Sequence, residues 1–232
     1  MDLLIEIQAF YEKINIMTIL SFHLQQNECF VAIETEGKTI EHALKIQPGE
    51  TQGMVLVPFI QKVWKEVDCQ SITVLIAPRG PGSFTSLRVV LAAAQGLSLA
   101  FPKAKVFAPT HFDVLNYVAK IHTENPCIVL IDSKKGDFYG QIFFESGAEP
   151  PLEYTSDQIK DLLIQNHELR VISDFDPPID DLFQERWISF DKNLASCQIE
   201  FYKTCSLKES LEYQQFHPYY LHLPHYVKRK PV

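Results

Sequence analysis

Two hydrophobic periods alternate along this chain. Met17–Phe22 (MTILSF), Cys29–Ile33 (CFVAI) and Thr39–Leu44 are short apolar or alternating runs. Polar residues at Gln25–Glu28 and a glycine at Gly37 separate them, so the three predict a meander of strands. Thr51–Val67 changes to the helical period: Met54, Val55, Pro58, Phe59, Lys62, Val63 and Glu66 fall on neighbouring faces. Pro58 lacks an N–H and crowds the preceding turn, so a kink or a helix boundary is expected there. Ile72–Ala77 (ITVLIA) is apolar on both faces, as in a strand covered on both sides. Ser83 opens a helix to about Ala100, stopped by Pro102, and Val106–Ala108 begins another short strand.

The pattern then begins again. Phe112–Ile121 is helical, Cys127–Ile131 is a buried strand, and Asp132–Asp137 is a tight polar turn before Phe138–Phe144 returns as a hairpin partner. Ser156–Gln165 is a helix, with Ser156 as its expected N-cap and Asp157 in the first turn. Leu169–Ser173 is another strand, Leu194–Glu212 is mostly helical, and Phe216–Tyr226 is irregular. Leu4, Ile7, Tyr11 and Ile14 recur at helical spacing ahead of Met17. The order predicts an α/β fold of mixed sheets flanked by helices. It divides into an extension (1–16), an N-terminal lobe (17–108) and a C-terminal lobe with a tail (109–232).

Composition narrows the class. The chain has 232 residues with 21 Lys+Arg against 29 Asp+Glu, a net charge of −8. That balance argues against this chain alone gripping a phosphate backbone. Five cysteines without a CxxC pair fit a reducing compartment, so a cytoplasmic location is expected. The longest weakly polar stretch, Val89–Phe101, is too short for a bilayer, and the N-terminus lacks a basic region and a cleavage site. Neither a membrane segment nor a signal peptide is expected.

The segment Ala77–Ala100, APRGPGSFTSLRVVLAAAQGLSLA, carries most of the information. A strand, a loop with Gly80, Pro81 and Gly82, and a helix beginning at Ser83–Phe84 follow one another. Gly80, Gly82, Ser83, Thr85 and Arg88 are therefore anion-loop candidates, since a helix N-terminus offers free N–H groups. A tight turn with a serine cap is the alternative. The loop is neither a Walker A nor a GxGxxG motif. The helix itself is apolar nearly all round, so it needs cover on several sides. Met54, Phe84, Leu87, Val90, Leu91 and Ala94 are the expected partner-interface residues, and a helix buried wholly inside this chain, against the Thr51–Val67 helix, is the alternative.

Other clusters assign no catalytic residue and no metal site. His217, His222 and His225 have no cysteine nearby. Cys69, Cys127, Cys197 and Cys205 have no His/Asn context. Asp132 and Asp137 flank an ordinary turn, Ser83 has no GxSxG elbow, and Lys228–Lys230 reads as solvated charge.

The run GPGSFTSLR (Gly80–Arg88) resembles the signature of the bacterial TsaB (YeaZ) family, GPGSFTGLR, with Ser86 in place of glycine. MTILSFHLQQNECFVAI (Met17–Ile33) is similar to that family's opening strand pair, Leu56–Pro58 to its Leu-Leu-Pro, IDSKKGDFY (Ile131–Tyr139) to its IDARRGEVY, and Pro218–Leu221 to its closing PxYLR, with His222 for Arg. The resemblance implies the ASKHA (actin/hsp70-like) fold, two RNase-H-like lobes. It also implies a non-catalytic role beside a TsaD-like paralogue and a TsaE-like ATPase, making N6-threonylcarbamoyladenosine in tRNAs that read ANN codons. ATP and a divalent metal are then expected in the partner subunits, with tRNA contacted only indirectly. A homodimer is an open alternative assembly.

Departures sharpen the expectation. The end of the first strand, commonly Asp-Thr-Ser in the family, is His23-Leu24-Gln25, and Gln52-Gly53 stands where His-Ser is frequent. Imidazole and amide are poor Mg²⁺ ligands. No HxxxH pair of the TsaD type is present on the Thr51–Val67 helix. A nucleotide-binding ASKHA enzyme, an ATPase or acyltransferase using the glycine loop, is the alternative to the partner role.

Overall fold

The computed structural model describes residues 17–25, 27–67, 71–133, 136–175, 181–189, 191, 193–206 and 216–221. The first sixteen residues, Cys69, His222, His225 and Lys228–Lys230 lie outside them.

The first three apolar runs form β1 (Thr18–Gln25), β2 (Glu28–Thr35) and β3 (Lys38–Lys45), an antiparallel meander. Helix α1 (Gln52–Trp64) follows, then β4 (Val74–Ile76), α2 (Phe84–Ala100) and β5 (Lys105–Phe107). β4 and β5 add in parallel beside β1, giving the order β3-β2-β1-β4-β5. Helix α3 (His111–His122) leads into the second sheet, built from β6 (Cys127–Asp132), β7 (Phe138–Phe144), β8 (Gly147–Ala148) and β9 (Leu152–Tyr154). After α4 (Ser156–Gln165) comes β10 (Arg170–Ser173), parallel to β6. A 3₁₀ turn (Asp181–Arg186) and α5 (Leu194–Ser206) complete the described elements.

Side-chain alternation sorts these elements into five layers. Leu20, Phe22, Val31, Ile33 and Leu75 pack one face of the first sheet against α1 and α2. Ile19, Ala32 and Ile76 on the other face meet α3 and α5, which also receive Val129, Ile131 and Ile172 from the second sheet. The outer face of that sheet, including Ile128, Leu130 and Val171, is covered by Ile159 and Leu163 of α4. The strands divide between the sheets after Phe107, but α5 crosses back onto β1 and β2.

Several boundaries differ from expectation. Pro58 does not end α1; it occupies an exposed position inside a helix that continues to Trp64. The cap of α4 is Thr155 rather than Ser156: its hydroxyl accepts from Gln158 N, and the Gln158 side chain accepts from Thr155 N. The β1 strand runs on to Gln25 because the meander closes as a tight hairpin pairing Gln25 with Glu28. Ser83 caps α2 as expected, accepting from Ser86 N.

Candidate functional site

The C-terminal ends of the parallel strands face one another across the lobes. This is where α/β sheets leave a crevice for ligands. His23 near the end of β1, the Pro78–Ser83 loop, Ser86 of α2, His111 at the start of α3, Asp132 at the end of β6 and Asp174 after β10 line a cavity of about 40 Å³. That volume holds one or two waters.

The cavity's polar groups form a chain across the lobes. Ser21 Oγ donates to Gln198 Oε1 (3.3 Å), and Gln198 Nε2 lies 3.0 Å from His23 Nδ1. The His23 and His111 ring centroids are 4.7 Å apart. His111 Nδ1 is 3.9 Å from Asp174 Oδ2, and the Gln25 side-chain amide donates to the Asp174 carbonyl. His23 Nε2, His111 Nε2 and Ser86 Oγ are buried without a hydrogen-bond partner among the described residues. Burial lowers both imidazoles: His23 falls well below the usual value, helped by His111, and His111 drops to about 4, with the Pro81 carbonyl opposing the fall. Both rings are therefore neutral at pH 7.

This geometry divides the anion-loop candidates. Gly80, Gly82 and Ser83 line the cavity, whereas Thr85 and Arg88 are exposed elsewhere, with the Arg88 guanidinium 5.1 Å above the Phe84 ring. Two neutral imidazoles and two carboxylates face the loop, a poor setting for a phosphate. A magnesium–phosphate group likewise meets His23 and Gln25 at the end of β1, where a carboxylate would suit the metal. Among the described residues, no group of three or more His, Cys, Asp or Glu side chains converges in a metal-holding arrangement. A wider groove of about 940 Å³ adjoins the cavity and is lined by Glu28, Glu41, Asp174 and Asp191 with Lys45. Cys127 is pushed up to about 12 by burial, so it is a thiol at neutral pH.

The second candidate is the outer face of α1 and α2. Here the structure corrects the expected interface. Leu87, Val90, Leu91 and Ala94 lie in the chain's own core against the first sheet, because they share the inward stripe of α2. Met54 and Phe84 do face outward, at 66 % and 48 % exposure. Val57 and Leu99 join them; Leu99 is 85 % exposed. Small residues lie between them: a methyl placed on Gly53 would sit 3.9 Å from Val89 Cγ2, and Ala92 and Gly96 are exposed. Among the described residues, no helix is long and apolar enough to cross a membrane.

Sequence reasoning singled out His23 and Asp132 but not His111, Asp174 or Gln198. Gln198 had a signal, a lone polar residue on an apolar helical stripe, and it is wholly buried. His111 and Asp174 had none, since only the folding of two lobes brings them together.

Comparison with known proteins gives these features a context. Residues 53–203 match the family model described as TsaD: tRNA N6-adenosine threonylcarbamoyltransferase. A tRNA threonylcarbamoyladenosine biosynthesis protein TsaB from Buchnera aphidicola subsp. Baizongia pistaciae (strain Bp) is 30% identical over 84 residues. That match covers 35% of this chain and 37% of the relative, so it spans well under half of either. YeaZ from Pseudomonas aeruginosa superposes with a TM-score of 0.63 at 18% identity, over 88% of this chain and 100% of the other. A second P. aeruginosa structure, described as similar to peptidase YeaZ, gives 0.62 at 18% identity over 89% and 100%. These two superpositions fix the fold as the ASKHA type. With the family model covering residues 53–203 and the GPGSFTSLR run departing from the signature only at Ser86, the chain belongs to the TsaD family, and its likeness within that family is to the TsaB (YeaZ) members.

Proposed function

We propose that this chain is a non-catalytic scaffold that binds a TsaD-type threonylcarbamoyltransferase and supports formation of N6-threonylcarbamoyladenosine in tRNAs reading ANN codons. The observation that carries this reading is the outward face of α1 and α2. Met54, Val57, Phe84 and Leu99 are exposed there among small residues that allow another helix to approach closely. A TsaE-like ATPase joins the complex, and a homodimer would compete for the same face. ATP and the divalent metal belong to the partner subunits, and tRNA is reached through them. The setting is cytoplasmic.

The alternative, a nucleotide-binding enzyme, has a groove of suitable size beside the cleft. Its lining of four carboxylates against one lysine opposes an anionic nucleotide. Met54→Asp and Leu99→Lys test the scaffold. Each places its charge where the helix dipole tolerates it, and each alters an exposed position. Both variants are expected to melt within a few degrees of the parent, and together to lose roughly a hundredfold or more in affinity for the TsaD-type partner by calorimetry. Unchanged affinity sinks the reading. So does low-micromolar binding of Mg–ATP, with turnover, by this chain alone.

A further inference from the structure

The Gly80–Gly82 loop has the composition of an anion cradle, yet its entry is tied to protein through the Arg79 amide and the Arg79 and Gly80 carbonyls. Arg79 N donates to Pro109 O (3.0 Å), His111 N donates to Gly80 O (2.8 Å), and Tyr219 N donates to Arg79 O (2.7 Å). The last bond comes from a segment beyond α5 that returns across the molecule. Phe216 is 5 % exposed and inserts into the core beneath α1 and α2. Gln95 Nε2 of α2 donates to Phe216 O (3.3 Å). The Arg79 guanidinium lies 5.4 Å above the Tyr219 ring, and the Tyr220 ring is 5.8 Å from Phe84.

Gly80 shows what its glycine is for. Its φ is +101°, and a Cβ there would fall 3.1 Å from Tyr219 O and 3.0 Å from Leu87 Cδ2. A Cβ on Gly82 would meet nothing within 4 Å. Both glycines hold a positive φ, but the one whose missing Cβ makes room for a neighbour is Gly80, pressed against the returning segment.

We infer that the ligand of this glycine loop is the chain's own segment Phe216–Leu221, acting as a strap whose closure holds the loop and the first turn of α2 in place. Phe216 anchors the strap, the Tyr219 amide locks it to the loop, and Tyr220 rests on Phe84. The strap therefore also sets one end of the face proposed above for partner docking. That last consequence rests on the proposed function; the strap itself does not.

Amide hydrogen–deuterium exchange on the full chain tests it, using Phe216→Ser from the strap side and Gly80→Ala from the loop side. In the parent, the Tyr219 amide is expected to be protected. In either variant, exchange across Arg79–Leu91 and at Tyr219 is expected to rise together by roughly tenfold or more, while β6 and β7 keep the parent's rates. Unchanged rates in Arg79–Leu91 would overturn the inference. So would a rise spread evenly over both sheets, since the segment would then serve only overall stability. Millimolar inorganic phosphate is expected to leave exchange in Arg79–Ser86 of the parent as it was. Protection there would mark the loop as an anion site instead. If the exchange result holds but Phe216→Ser leaves partner affinity at the parent's value, the strap stands and its link to docking falls. If Met54→Asp is silent as well, the docking face itself falls.

Discussion

His23 and His111 stay neutral in the folded chain because burial disfavours the imidazolium, whereas in the unfolded chain both titrate near 6.5. Below pH 6.5 the unfolded state therefore binds protons that the folded state refuses. Stability is expected to be flat above that pH. It should fall as pH drops from 6.5 toward 4, by about 1.4 kcal/mol per unit for His111 and by more while His23 also refuses its proton. Urea midpoints across that window check it, and His111→Gln should flatten the slope. A second prediction concerns Gly140 in β7, where an added Cβ would lie 2.6 Å from the Tyr154 ring and 3.2 Å from Leu130 Cδ2. Gly140→Ala is expected to cost about 1–3 kcal/mol by overpacking, and Tyr154→Ala in the same chain should recover part of it. His23 could be singled out from the chain because it breaks a motif. Gly140 and Asp174 could not, because what makes them special is a neighbour that arrives from another element.

Helix α2 shows how far periodicity carries. Its length and its serine cap followed from the pattern of Ser83–Ala100. Which apolar residues faced inward did not, because an almost wholly apolar helix offers too little polar contrast to fix its rotation. The packing of Leu87, Val90, Leu91 and Ala94 on the sheet settles that rotation. Leu87→Glu is accordingly expected to cost several kcal/mol and to lower the melting temperature sharply, whereas Met54→Asp should leave the melt nearly unchanged. Helix α3 is held differently. Thr110 Oγ1 accepts from Asp113 N (3.1 Å), and Asp113 Oδ2 accepts from Thr110 N (3.2 Å). Thr110→Ala is expected to destabilise by about 1 kcal/mol in denaturant titration. Of the kink or boundary expected at Pro58, no boundary forms in α1. The proline sits on the solvent side, while Val55, Leu56, Phe59, Ile60 and Val63 bury the opposite stripe. Tertiary packing there outweighs the lost backbone bond.

Helix α5 is pinned to the first sheet and packs on α3, which in turn lies on β6 and β10 of the second sheet. Its Gln198 bonds Ser21 and His23, its Lys203 reaches Glu34 at 2.9 Å, and Asn193 just before it donates to His42 O at 3.0 Å. Gln198→Leu would strand two buried polar groups of β1, with an expected loss of about 1–3 kcal/mol. The alternation of strand and helix made the mixed sheets legible in advance. The return of α5 and of Phe216–Leu221 onto the first lobe was not, because long-range closure leaves no local period. That return has a consequence for biosynthesis. The meander strands leave the ribosome well before α5, and the part of their sheet's inner side that α5 covers stays bare until residues some 170 positions later have emerged. The nascent chain therefore carries a partly uncovered β-surface until α5 is made, a natural client for holding chaperones, and a ribosome stalled short of α5 would release a product prone to aggregation.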